Sequence, residues 1–124
     1  MGKKILVAED SSVIQNLTKR ILTIQNYEIS SVKNGVQVMA ELEKEKFDLV
    51  LMDIHMPEMD GMTCSKEIRI QDPGGNKEIP IIAITGNAKN YSIEDFKEAG
   101  INDFLPKPLN YDNMVEMVKS YIEN

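Results

Sequence analysis

Cysteine and histidine each occur once in the 124 residues. Cys64 therefore has no internal disulfide partner, and the two residues supply no Cys/His metal cluster; a reducing, cytoplasmic setting fits. Basic residues are in deficit, 14 against 20 acidic, for a formal net charge of −6. With no basic stripe to neutralise phosphates, nucleic acid is not an expected partner, and the negative surplus serves solubility. Long apolar runs are missing too. The basic start Met1-Gly2-Lys3-Lys4 leads into Ile5-Leu6-Val7-Ala8, which is too short for a signal or membrane segment and is followed at once by acids. Leu6 stands where a myristoylation pattern needs serine or threonine. No membrane role is expected. Low-complexity tracts, charge blocks and internal repeats are also lacking.

What remains is an ordinary globular composition, 42% hydrophobic and 27% charged. The length suits a single domain over 1–124, able to bury roughly two-thirds of its unfolded surface. Short apolar runs alternate with helical patterns. Stretches 4–8, 29–32, 47–52, 79–85 and 101–105 read as strands, and Leu49-Val50-Leu51-Met52 and Ile81-Ile82-Ala83-Ile84 are apolar at consecutive positions. Such runs suit parallel strands covered on both faces. Between them lie amphipathic helices. Val13, Leu17, Ile21 and Ile24 share one face of the first, with Ser11 or Ser12 as N-cap, and Met114, Met117, Val118 and Tyr121 share one face of the last. Met is frequent, with eight residues, and reads as core filler. Alternating β and α elements imply an α/β domain, a (βα)5 doubly wound parallel sheet with right-handed crossovers.

In such a sheet, functional groups gather beyond the carboxyl ends of the strands. The first strand ends in Glu9-Asp10, the third in Asp53 and the fourth in Thr85, and Lys107 follows the fifth. Any one of these has a plain structural explanation: Asp10 as a helix cap, Thr85 as a strand-end hydroxyl, Lys107 as a surface charge. Their joint occurrence at successive strand ends does not. Two carboxylates about 4 Å apart repel by roughly 4 kcal/mol at an effective dielectric of 20, so three require a cation or a proton. Hard oxygen ligands with room for water suit Mg²⁺ better than Zn²⁺.

The motifs Leu6-Val7-Ala8-Glu9-Asp10-Ser11, Leu51-Met52-Asp53-Ile54-His55-Met56-Pro57-Glu58-Met59-Asp60-Gly61, Ile84-Thr85-Gly86 and Leu105-Pro106-Lys107-Pro108 resemble the receiver domains of two-component signalling, in order and across essentially the whole chain. The resemblance implies a flavodoxin-like fold with strand order 2-1-3-4-5. It implies that Asp53 is the phospho-accepting nucleophile, that Asp10 binds Mg²⁺ directly and Glu9 through water, and that the backbone carbonyl of His55 is a further ligand. Thr85 would bond the phosphoryl group and Lys107 would pair with it, across a cis Lys107-Pro108 bond. Phe104 falls at the family's aromatic switch position. The phosphoryl donor would be a histidine kinase or a histidine phosphotransfer protein. The chain would then be a signalling domain rather than an enzyme, supporting its own phosphorylation and slow autodephosphorylation.

On the residues themselves, His55 reads as a rim residue and Asp60-Gly61 as a turn. A flavin binder needs a hydroxyl- and glycine-rich cradle where Glu9-Asp10-Ser11-Ser12 stand. A haloacid-dehalogenase phosphohydrolase needs a second aspartate where His55 stands. A phosphorylation-independent docking module of the same fold has no need of Asp10, Asp53, Thr85 and Lys107. The segment from Asn87 to Gly100, with Ile93 and Phe96 as its buried candidates, is the least apolar helix. Together with the last strand and last helix it is the expected downstream-partner face. Val7-Ala8-Glu9-Asp10 and Phe104-Leu105-Pro106-Lys107-Pro108-Leu109 resemble the receivers of hybrid histidine kinases, and both a free-standing regulator and a receiver excised from such a kinase remain open.

Overall fold

The computed structural model describes residues 2–86 and 91–123. Its elements run β1 (Lys4–Ala8), α1 (Ser12–Ile24), β2 (Glu28–Val32), α2 (Gly35–Lys44), β3 (Leu49–Asp53), α3 (Gly61–Gln71), β4 (Ile81–Thr85), α4 (Ile93–Glu98), β5 (Asp103–Pro106) and α5 (Tyr111–Ile122). All strand pairs are parallel and the order is β2-β1-β3-β4-β5. The expected doubly wound, flavodoxin-like sheet is therefore present.

Consecutive apolar residues divide between the two faces, as the period of two requires. Leu6, Ala8, Val50, Met52, Ile81 and Ala83 pack beneath α2, α3 and α4. Ile5, Val7, Leu49, Leu51, Ile82 and Ile84 pack beneath α1 and α5. Three strands start two residues later than the apolar runs suggest. Phe47 gives its N–H to the Asn76 side chain instead of a ladder. Ile79 precedes Pro80, whose carbonyl receives the first β3–β4 bond from Val50. Ile101 closes the end of α4 by donating to the Phe96 carbonyl. All three side chains are buried, so the runs mark burial correctly and the ladder incorrectly.

Two helices depart from the amphipathic reading. Ser11 caps α1, its hydroxyl accepting from the Ile14 N–H. The helix turns Gln15, Thr18 and Leu22 inward, while Val13 is 78%, Leu17 41% and Ile24 71% exposed. Gln15 explains the rotation: its amide donates to the Glu9 carbonyl at 3.1 Å and the Val32 carbonyl at 2.8 Å, so a polar group with both amide hydrogens bonded sits under the helix. In α4, Phe96 is buried but Ile93 is 61% exposed, a correction to the expected pair. The helix spans six residues, and positions 87–90 of the expected segment lie outside the described residues.

Candidate phosphoryl-acceptor site

The carboxyl ends of β1, β3 and β4 form the site. Asp53 closes β3 and is 1% exposed; Glu9 follows β1 and is 2% exposed; Asp10 beside it faces solvent. Carboxylate oxygens of the three lie within 4.8 Å of one another. One Asp53 oxygen, Oδ1, accepts the His55 N–H at 3.1 Å, and the other, Oδ2, receives the Lys107 ammonium at 3.2 Å. Lys107 also lies 3.7 Å from Glu9 Oε1. It reaches them from the β5–α5 connection, where the Lys107-Pro108 bond is cis as expected and the Lys107 N–H donates to the Thr85 carbonyl at 2.8 Å.

Glu9 is held from both ends. Its Oε2 accepts the Ser11 N–H at 3.0 Å, and its backbone is tied to Val32 and Gln15. Oε1 is buried and, among the described residues, accepts no hydrogen bond. Burial raises the Glu9 carboxyl from 4.5 to about 7, with the Asp53 charge adding to the rise and the Ser11 N–H and Lys107 opposing it. An all-oxygen donor set with a buried oxygen that has only the more distant Lys107 charge beside it fits a hard divalent cation. Glu9, Asp10 and Asp53 are the residues that could hold it.

Two further residues build the site. Gly61 starts α3 so close to β3 that a Cβ there would lie 2.5 Å from the Asp53 carbonyl oxygen, and the preceding Asp60 caps that helix by accepting the Thr63 N–H at 2.8 Å. Asp60-Gly61 is thus a helix start pressed against the site as well as a turn.

The response regulator receiver domain family matches residues 5–119. The chain belongs to that family. The receiver is 39% identical over 123 residues to hybrid signal transduction histidine kinase M of Dictyostelium discoideum, covering 97% of this chain and 5% of the kinase. Across several such relatives it spans 5% to 19% of their length. Among solved structures, the receiver domain of sensor histidine kinase PA1611 from Pseudomonas aeruginosa, with a magnesium ion in its active-site cleft, is 33% identical, with a TM-score of 0.88 over 100% of both chains. Response regulator TrrA of Thermotoga maritima, in complex with Mg²⁺ and BeF, is 31% identical at a TM-score of 0.84, covering 96% of this chain and 98% of that one.

Of the residues that the sequence singles out in this receiver, Glu9, Asp10, Asp53 and Lys107 converge. Thr85 is buried at the end of β4, paired in register with Pro106 of β5, and His55 contributes its backbone N–H while its side chain faces solvent. Phe104 is half-buried and stacks on Phe96 with ring centroids 5.2 Å apart. Gln15 and Gly61 support the site without having been singled out for it; an inward-facing amide and a glycine beside a cap are visible in the sequence only once the neighbouring backbone is known. Among the described residues, no helix is long and apolar enough to cross a membrane.

Proposed function

We propose that the chain accepts a phosphoryl group on Asp53 from a partner phosphohistidine and thereby switches a protein-interaction face. The observation that carries the reading is the buried Asp53 carboxylate, held between the His55 N–H and the Lys107 ammonium with Glu9 and Asp10 alongside. In the transfer, an Asp53 oxygen forms the bond to phosphorus as the phosphorus–nitrogen bond of the donor breaks, its electron pair returning to the imidazole. Glu9, Asp10, Asp53 and the His55 carbonyl would hold Mg²⁺, which supplies positive charge against the phosphoryl oxygens. Lys107 pairs with one phosphoryl oxygen and the Thr85 hydroxyl donates to another.

The donor reading is supported by the surface beside the pocket. Val13, Leu17 and Ile24 stand exposed on α1, a helix that carries Lys19 and Arg20 and no acidic residue. Next to it a cavity of about 490 Å³ is lined by Ile14, Lys107, Pro108, Leu109 and Tyr111. A histidine kinase or histidine phosphotransfer protein seated there would place its phosphohistidine at Lys107 and Asp53. The downstream partner is assigned to the face of α4, β5 and α5, where the Phe96–Phe104 stack would register movement of Thr85.

Incubation with a small phosphodonor and Mg²⁺, followed by intact-mass measurement, tests the reading. One phosphoryl group should appear, labile to acid and base, and none on Asp53→Asn. Normal uptake by that variant would overturn the assignment, and no uptake by the parent would favour a phosphorylation-independent docking module.

A further inference from the structure

Far from the phosphoryl site, Arg69 in the last turn of α3 uses all five of its N–H groups on oxygen. Nε and Nη2 both bond the Gly100 carbonyl, at 3.0 and 2.6 Å. Nη2 also reaches Asn102 Oδ1 at 3.0 Å, and Nη1 bonds the carbonyls of Lys77 and Ile79, each at 2.7 Å. None of these acceptors is a carboxylate, so this is not a surface ion pair. It is a fork gripping backbone.

What it grips is the end of α4. Gly100 sits at φ +83°, its N–H donating to Lys97 while the Ile101 N–H donates to Phe96, the paired closure that ends a helix at a left-handed glycine. Asn102 continues the grip: its side-chain oxygen accepts the Ile81 N–H at 2.8 Å, and its own N–H donates to the Ile81 carbonyl. The C-terminal end of α4 is therefore bonded to α3 and to β4, and the same Arg69 side chain also holds the segment before β4. The other end is capped from within, Ser92 and Asp95 exchanging side-chain and backbone bonds, and the Ile93 beside that cap is largely exposed. One end is hydrogen-bonded to the body of the domain; at the other, among the described residues, the hydrogen bonds stay within the helix and the packing of Phe96 on Phe104 is what joins it to the sheet.

We infer that Arg69 is the anchor of a pivot: displacement of Thr85 swings the Ser92–Phe96 end of α4 while Gly100 stays in place. Arg69 is a positioning residue, acting through Gly100. A helix that pivots changes the angle of Ile93 and Phe96 against Phe104, whereas a sliding helix would carry its whole length past β5. The swing rests on the phosphorylation reading above; the anchor does not.

Amide hydrogen exchange on the whole chain, comparing the parent with Arg69→Met and Arg69→Lys, decides the anchor without any phosphoryl mimic. In the parent the Ile101 N–H should exchange more slowly than the Phe96 N–H. Arg69→Met should speed Ile101 by at least about tenfold, the weight of one hydrogen bond to a charged group, with Arg69→Lys between, since it keeps the charge and loses the fork. The lysine variant carries the comparison if the methionine variant does not fold. Amide shifts with Mg²⁺ and beryllofluoride then read the swing: in the parent they should be large over 92–96 and small over 100–102, and in Arg69→Met they should spread into 100–102 with the pocket shifts unchanged. Unaltered Ile101 exchange in the variants overturns the inference. So do parent shifts as large at 100–102 as at 92–96, or a silent α4 beside a responding pocket. Pocket amides that ignore beryllofluoride would instead fell the phosphorylation reading, leaving the anchor to the exchange rates.

Discussion

Lys107 and Asp53, fifty-four positions apart, meet at 3.2 Å across the carboxyl edge of the sheet. The contact joins a partly exposed cation to a buried anion, and it is the cationic side of a site whose other charged groups are carboxylates. The same ammonium must leave the carboxylate partly free if it is to meet a phosphoryl oxygen, so its loss is expected to act on both stability and transfer.

Lys107→Ala should lower unfolding free energy in chelator by on the order of 1–3 kcal/mol, because it strips the partner from a buried charge. Phosphoryl uptake from a small donor should fall by about 10²-fold, the usual weight of one group that stabilises developing charge. Denaturant melts and rapid-quench labelling would check the two effects separately.

The raised Glu9 carboxyl gives a pH dependence of defined sign. In the metal-free protein, folding takes up a proton between pH 4.5 and about 7. The stability this contributes is fully present below the unfolded value and is lost as pH rises through the folded one. Melting temperature in chelator should therefore fall between about pH 5 and about pH 8, and Glu9→Gln should flatten the slope. Saturating Mg²⁺ should raise the melting temperature most at the alkaline end, where the carboxylates are ionised. A parent slope that the Gln variant leaves unchanged would remove Glu9 as its source.

Gly61→Ala should destabilise the domain by about 1–3 kcal/mol, as overpacking does. The added methyl would lie 2.5 Å from the Asp53 carbonyl oxygen and 2.9 Å from the Ile54 Cα, both backbone atoms that cannot step aside. Because relief requires β3 to shift, Mg²⁺ affinity should weaken as well, which calorimetry would read.

On α1, Val13→Asp should change stability by no more than about 0.5 kcal/mol, since the side chain is 78% exposed. Phosphoryl transfer from a phosphohistidine protein should slow while uptake from a small donor stays at the parent rate. Equal slowing with both donors would point to damage at the pocket rather than lost docking.

The sequence exposes the sheet and its reactive edge well, because both depend on local order. Buried parallel strands write consecutive apolar residues, and the residue after each strand lands on one edge whatever the loops do. Glu9, Asp10, Asp53 and Lys107 could therefore be brought together on paper. The orientation of α1 could not. Its apolar stripe at Val13, Leu17 and Ile24 is regular, yet the inward face is set by an amide at Gln15 whose acceptors are the carbonyls of Glu9 and Val32. Backbone carbonyls leave no trace in composition or periodicity. Arg69 is invisible for the same reason, since four of its five bonds go to the peptide carbonyls of Gly100, Lys77 and Ile79 and only one to a side chain, that of Asn102. Hydropathy alone misplaces Ile93, because it scores an apolar residue inward regardless of whether anything lies above it.

Cys64 offers a chemical stopwatch. It is fully buried on α3 with its thiol against the Gly35 carbonyl at 3.6 Å, and burial, with the Asp60 and Glu67 charges, pushes the thiol up to about 12. The buried thiol is held protonated at neutral pH, so a disulfide reagent reacts when the structure over it opens. The rate of colour release from the unaltered protein therefore counts those openings one by one. The same silence means that a single cysteine placed on an exposed helix position would take up a fluorophore alone, with no need to remove the native thiol first.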